Sequence, residues 1–117
     1  MAEPLKKEPQ KPHYAGHRDR LRERFLKSPD ALPDYELLEL ILFMAVPRRD
    51  VKPLAKALVA RFKTLNGVLN APIEDLQKME GLSETSAVAL RIVQAAGRRM
   101  LRQDITGQPV LNSWQRL

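Results

Sequence analysis

The sequence predicts an all-α protein, a small bundle of about five to six helices. Apolar residues recur three to four positions apart through most of the chain, which is the spacing of one helix face. Prolines and helix-capping residues stand between these stretches, where helices begin and end. With 5 glycines in 117 residues and 5% aromatic residues, the chain lacks the composition of a β-barrel or β-sandwich.

Three regions follow one another along the chain. Residues 1–13 carry three prolines and no apolar periodicity, which predicts a disordered basic tail. Residues 14–104 form the predicted helical domain, built from paired helix-hairpin-helix units. Residues 105–117 are predicted to be a linker or the start of a second domain that lies beyond this sequence.

The first two predicted helices differ in character. The first covers about residues 16–27, with Tyr14, Leu21 and Phe25 on an apolar stripe and basic residues on the remaining surface. The second starts near Asp34 and is apolar around nearly its whole circumference through Met44. Such a helix is normally central and buried, although an interface for a partner remains the alternative.

Three further segments complete the predicted bundle. Asp50 is the expected N-cap of a third helix, and residues 64–70 are expected to form a short helical turn. The last helix is predicted over about residues 84–103. Its small-residue face, which suits close helix packing, consists of Ala87, Leu90, Val93, Ala96, Gly97 and Leu101.

The most informative stretch is residues 72–87, which reads as a short helix, a tight hairpin and a second helix. Gly81 stands where the first helix must leave through a left-handed residue, a conformation that glycine adopts without steric cost. Ser83 stands where the second helix needs a side-chain acceptor for its first N–H groups. Leu82, between them, is expected to pack into the core.

A hairpin of this kind can bind phosphate with backbone amides. The amides of residues 82–86 are expected to point outward at a helix N-terminus, which attracts anions. A second helix pair resembles a degenerate copy of this unit and carries two arginines at its tip. The candidate nucleic-acid-binding residues are Gly81, Leu82, Ser83, Thr85, Ser86, Lys78, Arg48 and Arg49. The alternative is that the hairpin only packs two helices together.

Charge and composition limit the classes of partner and site that the chain can have. The net charge is +6, and both ends are basic around a nearly neutral middle, which suits a polyanionic partner or a solvated surface. The chain has no cysteine, no apolar signal segment, and no apolar run long enough to span a membrane. His13 and His17 have no acidic third ligand at a useful spacing. We therefore expect no metal, no cofactor and no catalytic residue in this chain.

Four ordered blocks of sequence resemble a known family. They are GHR at residues 16–18 with Leu21, Arg22, Arg24 and Phe25, LPDYELLE at 32–39, DVKPLAK at 50–56 with Leu58, and the hairpin around Gly81. Together they resemble the amino-terminal region of the RadC family, bacterial proteins named for DNA repair, over about residues 16–113.

The resemblance implies a DNA-binding module that positions a carboxy-terminal JAMM-type (MPN-like) domain. We expect that domain, with its zinc site and any hydrolase activity, to lie outside this sequence. The implied partners are DNA, through its phosphates, and the downstream domain, in the cytoplasm and without a membrane. A protein-interaction or dimerisation module without nucleic-acid binding is the alternative function, and the oligomeric state stays open.

Overall fold

The structure is a computed structural model that describes residues 13–106, with side-chain surroundings for residues 16–105. Its elements are α1 (His13–Lys27), a 3₁₀ turn (Pro29–Ala31), α2 (Asp34–Ala45), α3 (Lys52–Phe62), α4 (Leu65–Leu69), α5 (Ile73–Gln77) and α6 (Glu84–Thr106). The predicted all-α class is confirmed. The expected disordered tail and the expected linker lie almost wholly outside the described residues.

Helix α2 lies in the centre and contacts α1, α3, α4 and α6. Leu38 and Leu42 on this helix are fully buried, and burying a leucine side chain contributes about 1.5–3 kcal/mol. The predicted central position is therefore confirmed. One face of α2 is nevertheless left uncovered, because Leu40 and Ile41 are half-buried and Met44 is 88% exposed.

Helix α1 is held on α2 by two polar pairs that bury carboxylates. Arg24 donates from Nη1 and Nη2 to the two carboxylate oxygens of Glu36, at 2.8 and 2.7 Å. The hydrogen bond and the negative charge of Glu36 raise the pKa of the Arg24 guanidinium. The His17 Nε2 atom lies 2.7 Å from Oε2 of the fully buried Glu39. A buried carboxylate requires a hydrogen-bonding partner, and α1 supplies the partner in both pairs. The two pairs therefore join α1 to α2.

Helices α3 and α4 pack on α2, and α5 packs on α6. Val51 occupies the position before α3, so the predicted N-cap is displaced by one residue, and Asp50 Oδ1 accepts from the Lys52 amide at 3.0 Å. The predicted short helical turn is α4, where Thr64 Oγ1 accepts from the Gly67 amide at 2.9 Å. A Cβ atom on Gly67 would lie 2.1 Å from the Phe62 carbonyl oxygen. Only glycine fits this close approach.

Helix α6 packs on the core through its first half alone. Ala87 and Leu90 are buried, and the Arg91 guanidinium donates to the carbonyl oxygens of Leu69 and Ala71. The predicted small-residue packing face is wrong beyond Leu90, because Val93, Ala96 and Leu101 are exposed and Gly97 is only half-buried. Every residue from 98 to 105 is exposed. The described helix reaches Thr106, three residues beyond its predicted end.

Candidate nucleic-acid interface

The turn between α5 and α6 has the geometry expected from its sequence. Gly81 has a φ of +87°, in the left-handed region that favours glycine. The Leu82 side chain is buried in the core cluster, and its amide donates to the Met79 carbonyl oxygen at 3.1 Å. The predicted glycine turn and the predicted core role of Leu82 are both confirmed. The Leu82 amide, by contrast, is already bonded within the turn.

Ser83 caps α6, as its position predicts. Its Oγ accepts from the Ser86 amide at 3.1 Å and lies 3.0 Å from the Ser86 Oγ. Ser86 is fully buried. The expectation that Ser86 contributes donors to an external phosphate is therefore wrong, because its amide and its hydroxyl both hydrogen-bond to Ser83. The two serines stabilise the start of the helix instead.

The amides that remain at the start of α6 form a smaller set than the sequence predicted. Among the described residues, the amides of Ser83, Glu84 and Thr85 have no hydrogen-bond acceptor. They belong to the first turn of α6, where a helix carries orphan donors and partial positive charge. The predicted donor range of residues 82–86 thus contracts to residues 83–85.

The loop between α2 and α3 is anchored from inside by Arg18. This side chain is 6% exposed, and its guanidinium donates to the carbonyl oxygens of Val46 and Pro47 at 2.6 Å and to that of Arg49. It also lies 4.5 Å from the centroid of the Phe43 ring, a distance typical of a cation–π contact. Arg18 therefore fixes the loop that carries the two exposed arginines.

The structure brings the two candidate loops together into one cleft. The Arg49 Nη2 atom donates to the Gly81 carbonyl oxygen, across 32 positions of sequence. A cleft of about 620 Å³ opens between the loops. Its lining consists of Ala45, Val46, Pro47, Arg48, Arg49, Gly81, Leu82 and Ser83. Five of the eight predicted site residues therefore line one cleft.

The charges around this cleft are mixed. Arg48 and Arg49 are exposed at its wall, whereas Glu80 and Glu84 are exposed near the turn. Among the described residues, the Arg49 side chain makes one hydrogen bond, to Gly81. A guanidinium carries five N–H donors, so donors remain for an external anion.

Three predicted site residues lie outside the cleft lining, namely the buried Ser86 and the exposed Lys78 and Thr85. Lys78 is exposed at the end of α5, with Nζ 3.7 Å from Asp75 Oδ1. Thr85 is exposed in the first turn of α6. Both are close to the cleft in sequence but do not form its walls.

The sequence prediction missed the role of Arg18. A detectable signal was present, because Arg18, Leu21 and Phe25 follow the spacing i, i+3, i+7 of one helix face. A charged residue on an apolar stripe requires a buried partner. Arg91 carries the same signal, since it follows the buried pair Ala87 and Leu90 and bonds to buried backbone.

Neither a metal site nor a membrane crossing is found in the described part of the chain. No three His, Cys, Asp or Glu side chains that could hold a metal ion lie together between residues 16 and 105. Between residues 13 and 106, no helix combines the length and the apolar character that a bilayer crossing requires.

This protein belongs to the class of compact all-α domains, and it carries a cleft between two loops. A comparison with protein families identifies its family. The model of the UPF0758 N-terminal family matches residues 14–88, which cover α1 from its second residue, α2 to α5 and the start of α6. The chain belongs to this family, the N-terminal region of RadC-like proteins. No solved structure matches the chain.

Proposed function

We propose that this domain binds DNA without sequence preference, through phosphates held in the cleft between the two loops. The observation that carries the proposal is that Arg48 and Arg49 line the same cleft as Ser83, whose amide is the first of the unbonded amides at the start of α6. Guanidinium groups and helix N-terminal amides are both good phosphate donors. Phosphate contacts position a protein on DNA but carry no base sequence, so the binding is sequence-independent.

The acidic residues limit the strength of this binding. Glu80 and Glu84 are exposed beside the turn and repel phosphate, so the cleft suits a weak contact with two or three phosphates. In the proposed role, the domain places a downstream JAMM-type domain of the RadC-like protein on DNA, in a cytoplasmic DNA repair setting. The role is non-catalytic, and any zinc hydrolase chemistry belongs to that second domain.

The test is fluorescence anisotropy with labelled duplex, forked and single-stranded DNA. Contact with two or three phosphates predicts a loss of about 10- to 40-fold in affinity when salt rises from about 50 to 200 mM. Binding that is absent at low salt, or that is insensitive to salt, would contradict the proposal.

Charge reversal in the cleft provides the first mutational prediction. The double substitution Arg48→Glu with Arg49→Glu should weaken binding at least about 10-fold for every DNA sequence alike, because two phosphate-binding cations are removed. The matched control is Arg98→Glu with Arg99→Glu, which makes the same charge change on the exposed second half of α6. Equal losses in the two double variants would show that net charge, and not the cleft, determines binding.

A further inference from the structure

A second surface, separate from the cleft, is an apolar groove between α1, α2 and α6. The groove has a volume of about 600 Å³ and a lining that is almost entirely apolar. Its floor is the uncovered face of α2, and its walls come from α1 and from the first half of α6. The lining residues are Arg22, Phe25, Leu26, Leu37, Leu40, Ile41, Met44, Ala89, Ile92 and Val93. Arg22 is the one charged residue among them.

The second half of α6 has the complementary character. It projects beyond the core, and Met100, Leu101 and Ile105 are each about two-thirds exposed. At about 100° per residue, these three side chains and Asp104 lie within an arc of about 140°. This arc is apolar with one acidic residue, whereas the groove is apolar with one basic residue.

We propose that a second copy of this chain occupies the groove, with the projecting half of its α6 in contact with the uncovered face of α2. The two helices run antiparallel and cross near Ala96 and Gly97, where a Cβ atom added to Gly97 would meet nothing within 4 Å. The groove wall and the projecting half are about 17 Å apart along α6. An antiparallel crossing between them therefore brings each projecting half onto the partner's groove.

Charge complementarity supports a second copy as the occupant. In the antiparallel register, Asp104 of one copy lies beside Ala89 of the other, which lines the groove together with Arg22. The present ion pair of Arg22 with Asp19 is long, at 3.5 Å, and both side chains are more than half exposed. Arg22 can therefore turn to a new carboxylate at little cost.

The apolar area buried between the two copies determines the expected affinity of the dimer. Seven large apolar side chains per copy lose water in this arrangement, which buries roughly 1,100 Å² in total and is near the lower limit for a specific interface. We therefore expect a reversible dimer with a dissociation constant of about 10–100 µM. The seven residues are Leu26, Met44, Ile92, Val93, Met100, Leu101 and Ile105.

The test is sedimentation velocity of the full chain from about 5 to 500 µM, without DNA, so that its outcome is independent of the proposed DNA binding. The mass should rise from 13.4 kDa towards twice that value. Leu101→Glu should weaken association at least about 10-fold. Ala95→Glu, an exposed substitution on another side of α6, should leave it unchanged. Circular dichroism shows whether each variant keeps its helices.

A charge-swap mixture distinguishes a second copy from any other occupant. Arg22→Asp and Asp104→Arg should each weaken self-association by about 3- to 10-fold, because each places like charges together. An equimolar mixture of the two variants should restore wild-type affinity, since each groove then meets the opposite charge. A wild-type chain that stays at 13.4 kDa, or a mixture without rescue, would overturn the proposal and assign the groove to a different partner.

Discussion

At the scale of single residues, two arginines organise this protein, the buried Arg18 and the half-buried Arg91. Arg18 and Arg91 each donate to carbonyl oxygens of connecting loops, which places charged donors where the loops have no helical partners. Hydrogen bonds from charged groups are worth about twice as much as neutral ones. Arg18 thereby fixes the α2–α3 loop on one side of the cleft, and Arg91 fixes the connection between α4 and α5.

Replacement of Arg18 tests this anchoring role. Arg18→Ala should lower the free energy of unfolding by about 2–4 kcal/mol, because three loop carbonyl oxygens lose a donor and a cavity forms beside Phe43. Urea denaturation measures the change. Arg20→Ala, on the exposed side of the same helix, should change stability by less than about 0.5 kcal/mol. Similar effects of the two substitutions would show that the guanidinium contacts contribute little.

Gly81 and Gly97 allow a matched comparison, because Gly81 is in the left-handed region and Gly97 lies within helix α6. Gly81→Ala should cost about 1–2 kcal/mol, because alanine is strained at a φ of +87° and its Cβ would lie 3.3 Å from Arg49 Nη2. Gly97→Ala should stabilise the fold by up to about 1 kcal/mol, since alanine is the better helix former in open space. Thermal unfolding of the two variants should therefore shift in opposite directions.

At the scale of helices, the start of α6 serves both stability and the proposed binding. Ser83 closes the first turn on the protein side, through Ser86, while the amides of residues 83–85 have no acceptor among the described residues. In the first turn of α6, the Ser86 amide is therefore used inside the protein, whereas the amides of residues 83–85 are available to an anion.

Removal of the cap tests its contribution to stability. Ser83→Ala should destabilise the domain by about 1–2 kcal/mol, because α6 loses its cap and the buried Ser86 hydroxyl loses its partner. Thr85→Ala, at an exposed position of the same turn, should change stability by less than about 0.5 kcal/mol. Chemical denaturation measures the free energy of unfolding of both variants. An equal decrease for Thr85→Ala would contradict a specific capping role for Ser83.

At the scale of the whole molecule, the bundle is divided into a packed core and a projecting helix end. The buried cluster extends from Leu21 to Leu90 in sequence, whereas residues 98–105 are exposed. The cleft lies on the loops at one side of α2, and the apolar groove lies on its uncovered face. The two surfaces share no lining residue, so DNA binding and self-association can be tested separately.

Shortening the chain tests this division. A chain that ends at Gly97 should keep its free energy of unfolding within about 1 kcal/mol in dilute solution, because the described residues it loses are exposed. A chain that ends at Leu90 should unfold at lower urea concentration, because the hydrogen bonds of Arg91 are lost as well. If the chain that ends at Gly97 loses as much stability as the chain that ends at Leu90, the projecting half of α6 contributes to the folded core.

Much of the local structure follows from the sequence by itself. The helix positions, the left-handed Gly81, the Ser83 cap and the buried Leu82 depend on interactions between residues a few positions apart, which helical periodicity and backbone preferences express directly. The region of the candidate site was predictable for the same reason. Family membership also agreed with the short blocks of sequence that suggested it.

Only the tertiary structure decided how these pieces meet. The cleft joins loops 32 positions apart through Arg49 and Gly81, and the burial of Ser86 and the exposure of Met44 depend on which helix faces cross. Apolar spacing shows that a face is available for packing, but the crossing of helices determines whether another helix covers it. For this reason the sequence by itself located the two candidate loops. The packing of α1, α2 and α6 decided that these loops form one cleft and that the apolar groove stays uncovered.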